Sequence, residues 1–225
     1  MIVKHVVPHI DEEASGPSYS VRRLCEELNT SDINVELLII ERKKRFNDGI
    51  IKSFKSINFL DKIDFSYDLK KYLNKIDISI IHNHGLWTNP NNYAFKSSIK
   101  NKIPIISAPR GTLSEWSLNN SKYKKRIYWK LIEKKNLDNV SIFHATSESE
   151  AEDIRKLGFR QPISVIPNGV DAQKKIKNNS EKKKFKLIFF ARIHKKKGIE
   201  TLINFWEKIG KKLENWELII AGKGE

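Results

Sequence analysis

The sequence predicts an α/β protein built on a doubly wound parallel sheet, and three observations carry that prediction. Short apolar runs recur along the chain, stretches of helical spacing separate them, and the last forty residues spell out a complete strand-helix-strand unit. The apolar runs are Ile2 to Val7, Val35 to Ile40, Ile78 to His82, Ile103 to Ala108, Ile142 to Ala145 and Ile163 to Ile166. Between them lie the helix candidates Tyr19 to Leu28, Asp68 to Asn74, Asn92 to Ile99, Lys122 to Asp138 and Ser147 to Leu157. The closing unit runs from the strand Lys186 to Ala191, through the basic turn Arg192 to Gly198 and the amphipathic stretch Ile199 to Ile209, to the strand Trp216 to Ala221.

The 225 residues, 39% of them hydrophobic, suffice for one large domain or one domain plus a smaller piece. Asp171 to Lys184 is polar, charged and without apolar period, so a linker is expected there. The expected division is a domain over 1–170, the linker over 171–184 and a second piece over 185–225. That piece has two strands and one helix, too few to bury both faces of its sheet, and an incomplete second domain is the expectation.

No apolar stretch approaches the roughly 20 residues needed to span a bilayer, and the N-terminus lacks the features of a secretion signal. A cytoplasmic location is expected. Cys25 is the single cysteine, which excludes an intramolecular disulfide and any multi-thiolate metal site; its helical spacing with Val21, Leu24 and Leu28 marks a buried structural thiol.

The net charge of +15 has two readings. Lysine can simply be the default surface residue of a chain rich in Lys, Asn and Ile. Alternatively the charge is placed: Lys124, Lys125, Arg126, Lys130, Lys134 and Lys135 surround Tyr128, Trp129, Leu131 and Ile132, the pattern of a basic amphipathic helix suited to an anionic membrane face. No nucleic-acid motif or stacking platform accompanies the charge, and nucleic acid is not expected as a partner.

In an open α/β sheet ligands bind beyond the C-terminal ends of the strands, so the turns there are the places to look. After the first strand, Gly16 allows close approach of a ligand to the backbone, and Ser18 or Ser20 is placed to cap the next helix; the GxGxxG spacing of a dinucleotide site is missing. His82 and His84 stand at i and i+2 and point the same way. No third ligand is grouped near them, so no metal is expected; His84, beside Gly85, is the candidate to touch a substrate, and His82 is structural. Arg110 and Gly111 form a turn suited to a phosphate or carboxylate, unless Arg110 pairs with Glu115 or another carboxylate; Trp116 offers an apolar face. Ser147 and Glu150 have capping-box spacing, with Glu148 as a secondary candidate for a site role.

Taken in order, His82-Asn-His-Gly-Leu-Trp87, Ser107-Ala-Pro-Arg-Gly-Thr-Leu113, His144-Ala-Thr-Ser-Glu148, Val165-Ile-Pro-Asn-Gly-Val-Asp171 and Ala191-Arg-Ile-His-Lys-Lys-Lys-Gly-Ile199 resemble glycosyltransferase family 4. The resemblance implies a GT-B fold with two Rossmann-like domains, an acceptor-side one over 1–170 and a donor-side one begun at 185–225. It implies a retaining enzyme that moves a sugar from a nucleotide-sugar donor to a glycan or lipid-linked acceptor, at the inner membrane face. It implies that Gly16 approaches the donor phosphates, that His84 stands near the reacting sugar, and that Arg192 and Lys197 neutralise the diphosphate leaving group. Two fixed cations do that without a metal, so no cofactor is expected. Asn168 and Gly169 resemble the crossover between the domains. The family's later donor-side glutamates have no counterpart before Glu225.

Overall fold

The computed structural model describes residues 1–10, 16–42, 46, 49–57, 63–74, 77–120, 122–172, 185–194 and 197–223. These form two compact units, Met1–Val170 and Asp171–Glu225. Of the expected linker, only Asp171 and Ala172 are among the described residues.

In the first unit the elements follow in the order β1 (Ile2–Val6), α1 (Gly16–Asn29), β2 (Asn34–Glu41), β3 (Ile51–Lys55), α2 (Tyr67–Leu73), β4 (Ile80–His84), α3 (Asn89–Asn101) and β5 (Ile105–Ala108). Then come α4 (Glu115–Asn119), α5 (Lys122–Tyr128), a π-helical turn (Trp129–Glu133), α6 (Lys134–Asp138), β6 (Ile142–Ala145), α7 (Glu148–Lys156) and β7 (Ile163–Val165). The second unit holds β8 (Phe185–Phe190), α8 (Ile199–Ile209), a 3₁₀ turn (Gly210–Lys212) and β9 (Trp216–Ala221).

The seven strands of the first unit form one parallel sheet in the order β3-β2-β1-β4-β5-β6-β7. Two cores cover its faces. Val21 and Cys25 of α1 pack with Val7, Val35, Leu37 and Ile39 on one side. On the other, Tyr93, Ala94 and Phe95 of α3, Leu69 and Leu73 of α2, Leu137 of α6 and Ile154 of α7 pack on Val6, Leu38, Ile81, Ile105 and Phe143. This is the doubly wound α/β architecture that the alternation of elements predicts. Cys25 is fully buried, and burial pushes its thiol up to about 12, as suits a structural thiol.

Besides the π-helical turn that divides the helix expected over Lys122 to Asp138, two elements depart from the sequence expectation. β3 is an edge strand, paired with β2 alone, and α4 is a five-residue turn of helix after the Arg110 bend. The capping role expected of Ser18 and Ser20 is also corrected. α1 already begins at Gly16, so both serines lie within it; Ser18 is buried and Ser20 donates back to the Gly16 carbonyl at 2.9 Å.

In the second unit β8 and β9 pair in parallel, and the turns that follow them stay joined by Ala191 N–H to Ala221 O at 3.2 Å and Ile193 N–H to Lys223 O at 2.8 Å. That closeness explains Gly222: a Cβ there would stand 1.8 Å from the Ala191 carbonyl oxygen.

Candidate active site

The strand order places β1 beside β4, while the helices that follow them, α1 and α3, go to opposite faces of the sheet. A crevice therefore opens beyond the C-terminal ends of these two strands, where this topology binds ligands. His84 is the last residue of β4, and Gly16 is the first of α1. Among the described residues a Cβ on Gly16 would meet nothing within 4 Å.

The expectation that His82 and His84 lack a third partner is corrected by His5. His5 sits in register with His82 on the neighbouring strand, which turns its ring to the same face. The three rings have ligand atoms within 4.8 Å of one another, and all three are buried. His144 of β6 extends the row, because the residue of β5 in register with His84 is the small Ala108. Contacts join the rings in pairs: His5 Nδ1 to His84 Nε2 at 3.0 Å, and His144 Nδ1 to His82 Nε2 at 3.2 Å.

His84 is 1% exposed and lies behind Arg110. Arg110 Nη2 donates to His84 Nδ1 at 3.3 Å, and Nη1 donates to Asn168 Oδ1. Its partners are thus a histidine and an amide rather than Glu115. Arg110 and Gly111 both have positive φ, 58° and 74°, a bend that costs roughly 1 kcal/mol at the arginine. Glu150 holds this bend, for its Oε1 accepts from Gly111 N at 2.6 Å while Oε2 accepts from Thr146 N at 2.7 Å and Thr146 Oγ1 at 2.8 Å. One buried carboxylate thereby ties the turn after β5 to the turn after β6. Ser147 does cap α7, accepting from Glu150 N at 3.2 Å. Glu148 is exposed in the first turn of α7, and Trp116 is exposed on α4; neither joins the His84–Arg110 group.

Burial holds the four histidines neutral. It lowers His5 to about 3, with Arg110 and His144 adding to the effect, and drives His82 and His84 well below the usual imidazole range; His144 is lowered too, also mainly by burial. Neutral imidazoles are the form that binds a metal, and His5, His82 and His84 are the described residues grouped to hold one. Beside them, however, is the Arg110 guanidinium, which repels a cation, and no carboxylate belongs to the group. The donor set fits a hydrogen-bonded row better than a metal centre.

A second polar group lies at the π-helical turn. Glu133 is 1% exposed, and burial raises its carboxyl to about 7 even though the Trp87 backbone N–H bonds to it. Trp87, with φ of 74°, lines a cavity of about 210 Å³ together with Leu118, Asn119, Lys125, Arg126, Trp129 and Leu157. Lys125 Nζ sits 5.5 Å from the centre of the Trp87 ring. On the same helical segment Tyr123, Ile127 and Leu131 are 84%, 62% and 72% exposed, an outward apolar stripe beside the cations Arg126 and Lys130.

In the second unit, Arg192 and Lys197 are exposed in the turn that leads into α8, whose N-terminal cap is Gly198 in the left-handed conformation with φ of 71°. Lys195 and Lys196 of the same turn lie outside the described residues.

Residues 14–174 match the family described as Glycosyltransferase Family 4. The chain belongs to glycosyltransferase family 4. Residues 170–225 match Glycosyl transferases group 1, so the family relationship continues through the second unit. Among solved structures the chain is similar to TarM, with TM-score 0.69 and 14% identity over 100% of this chain and 72% of that one. It is also similar to Anabaena HepE in complex with UDP and glucose, with TM-score 0.56 and 12% identity over 98% and 69% of the two chains. A point mutant of S. aureus TarM in complex with Fondaparinux, alpha-GlcNAc-glycerol and UDP gives TM-score 0.66 at 11% identity, over 100% and 72%. Identities this low show the shared GT-B-like fold. No curated protein matches the chain.

His5, His144 and Glu150 were missed as site residues in the sequence, although His5 left a trace. A polar pair, Lys4-His5, interrupts an otherwise apolar first strand, where a parallel sheet calls for apolar residues on both faces.

The buried groups set opposite pH limits. Unfolded histidine takes up a proton near pH 6.5, which the buried rings refuse, so stability falls as pH drops below 6.5, by roughly 1.4 kcal/mol per pH unit for each such ring. Glu133 acts the other way: unfolded it ionises near 4.5, folded it stays protonated to about 7, so stability is lost as pH rises through that window. Glu133→Gln should therefore be more stable than the parent at pH 8, by about 2–3 kcal/mol in urea unfolding, with the advantage gone at pH 4. A difference that does not vary with pH would contradict this assignment.

Proposed function

We propose that the chain is the acceptor-side domain and the beginning of the donor-side domain of a retaining family 4 enzyme, one that moves a sugar from a nucleotide-sugar donor to a lipid-linked acceptor in surface polysaccharide or lipopolysaccharide synthesis. The observation that carries this reading is the turn between β8 and α8, in a segment matched to Glycosyl transferases group 1. It carries Arg192 and, next to the Gly198 cap of the eleven-residue helix α8, Lys197, both exposed. Helix N-terminal N–H groups and two cations favour an anion there. A nucleoside diphosphate gathers negative charge as it leaves the sugar, so fixed cations stabilise that transition state without a metal. The UDP-bound state of the similar Anabaena and S. aureus proteins supports a nucleotide as the donor's carrier. Gly16 is proposed as a backbone approach to a donor phosphate, and His84 as the histidine nearest the chemistry.

For the acceptor, the cavity lined by Trp87, Leu118, Trp129 and Leu157 together with Lys125 and Arg126 combines apolar, aromatic and cationic groups, which suits a lipid-linked glycan. The stripe Tyr123, Ile127 and Leu131 beside exposed cations supports peripheral binding at the cytoplasmic face of an anionic membrane. Among the described residues no helix is long and apolar enough to cross a membrane. A second reading is an acceptor-binding module that works with a separately supplied donor half.

The activity test is release of nucleotide from UDP-glucose in the presence of membrane extract. With the donor-side domain complete, turnover with an α-linked product is expected, and Arg192→Ala should lower kcat about 10²- to 10³-fold. A β-linked product would overturn retention; turnover that appears only after a separate donor half is added would favour the second reading. For the membrane, cosedimentation with vesicles containing phosphatidylglycerol should be lost in Ile127→Asp and weakened by salt. Equal binding by the parent and the variant would remove the helix from that role.

A further inference from the structure

The hydrogen-bond row has two ends whose direction is fixed by chemistry. A guanidinium only donates, so Arg110 makes His84 Nδ1 an acceptor at 3.3 Å. A neutral imidazole carries one proton, so that of His84 is on Nε2 and is donated to His5 Nδ1 at 3.0 Å, leaving the His5 proton on its own Nε2. The other end is a carbonyl, which only accepts. His144 Nε2 donates to Ile166 O at 2.9 Å, so His144 Nδ1 must accept from His82 Nε2 at 3.2 Å. All four rings carry the same proton, on Nε2, and the two pairs are polarised independently: one by Arg110, the other by a backbone carbonyl.

Arg110 itself is held from outside the sheet. Asn168, in the Pro-Asn-Gly segment two residues before the end of the first unit, accepts from its Nη1, while Arg110 Nε is buried without a partner. Two contacts thus place this guanidinium, His84 on one side and Asn168 on the other, and both nitrogens of His84 are occupied.

We propose that Arg110 is a positioning residue for His84: clamped by Asn168 of the crossover segment, it fixes the tautomer and orientation of the His84 ring and closes that ring to other partners while the clamp holds. The crossover segment is thereby connected to the histidine through a single side chain. A substrate reaches His84 only by displacing Arg110, and the group first met at this end of the sheet is a cation. The link to catalysis rests on the glycosyltransferase reading, whereas the clamp itself does not.

The test is therefore made without substrate, by nitrogen-15 NMR of the full chain labelled at histidine, with the His84 signals identified by their loss in His84→Gln. The parent should show His84 protonated at Nε2 with Nδ1 shifted by a hydrogen bond. Asn168→Ala, a truncation at an exposed position, should move the His84 Nδ1 resonance and leave those of His82 and His144 in place, which also certifies the fold. Arg110→Ala should abolish the Nδ1 shift and Arg110→Lys should restore part of it. A proton on Nδ1 of His84 in the parent, or His84 resonances indifferent to both Asn168→Ala and Arg110→Ala, would overturn the proposal. Loss of transferase activity in any assay bears on the functional reading alone.

Discussion

Burying four imidazoles, a guanidinium and a carboxylate at one end of a parallel sheet is tolerable only if each finds a partner of the opposite hydrogen-bonding sense. Here the requirement is met in large part across strands distant in sequence, while His5 Nε2 and Arg110 Nε are buried with no hydrogen-bond partner among the described residues. Glu150 takes three donors from two turns, Arg110 supplies two donors to groups 26 and 58 residues away, and the histidines pair between β1 and β4 and between β4 and β6. The strand order makes these meetings possible by putting β1 against β4, and small residues such as Ala108 leave the room. The turns after β5 and β6 depend on that pairing, since Glu150 holds both, and a buried polar group left unpaired in a low-dielectric site is costly.

Charge is divided by purpose. Part of the basic excess is structural: Lys4, only 3% exposed, shares Glu36 with Lys52, and the Tyr72 hydroxyl joins them, donating to Glu36 at 2.8 Å. Arg110 belongs to the buried network. Among the cations exposed at the surface are those of the helical segment beside the apolar stripe and of the turn before α8, while others are spread over the remaining helices.

The alternation of apolar runs made the doubly wound sheet legible, because buried parallel strands are continuous apolar stretches and these survive without knowledge of tertiary contacts. β3 escaped for the same physical reason: Ile51-Lys-Ser-Phe-Lys55 lies at the edge, needs only one partner and carries just two apolar residues. The π-helical turn escaped because Trp129 to Glu133 has ordinary helical composition, and only the buried Glu133 marks it. At the site, motif positions such as His84 and Arg110 could be singled out as chemistry at strand ends, but their partners could not. Ser147 and Glu150 were legible as a capping box; that the Glu150 carboxylate instead spans to Gly111 depends on two turns meeting in space. His84 looked open to a substrate beside Gly85, whereas packing puts Arg110 over it.

The account as a whole rests on the claim that a diphosphate is what the chain recognises in its donor. The direct measurement is calorimetric titration of the purified chain with UDP and, separately, with uridine. Binding of UDP that weakens with added salt, with no measurable binding of uridine, is the predicted result. Uridine binding as tightly as UDP, or neither binding at all, would contradict it.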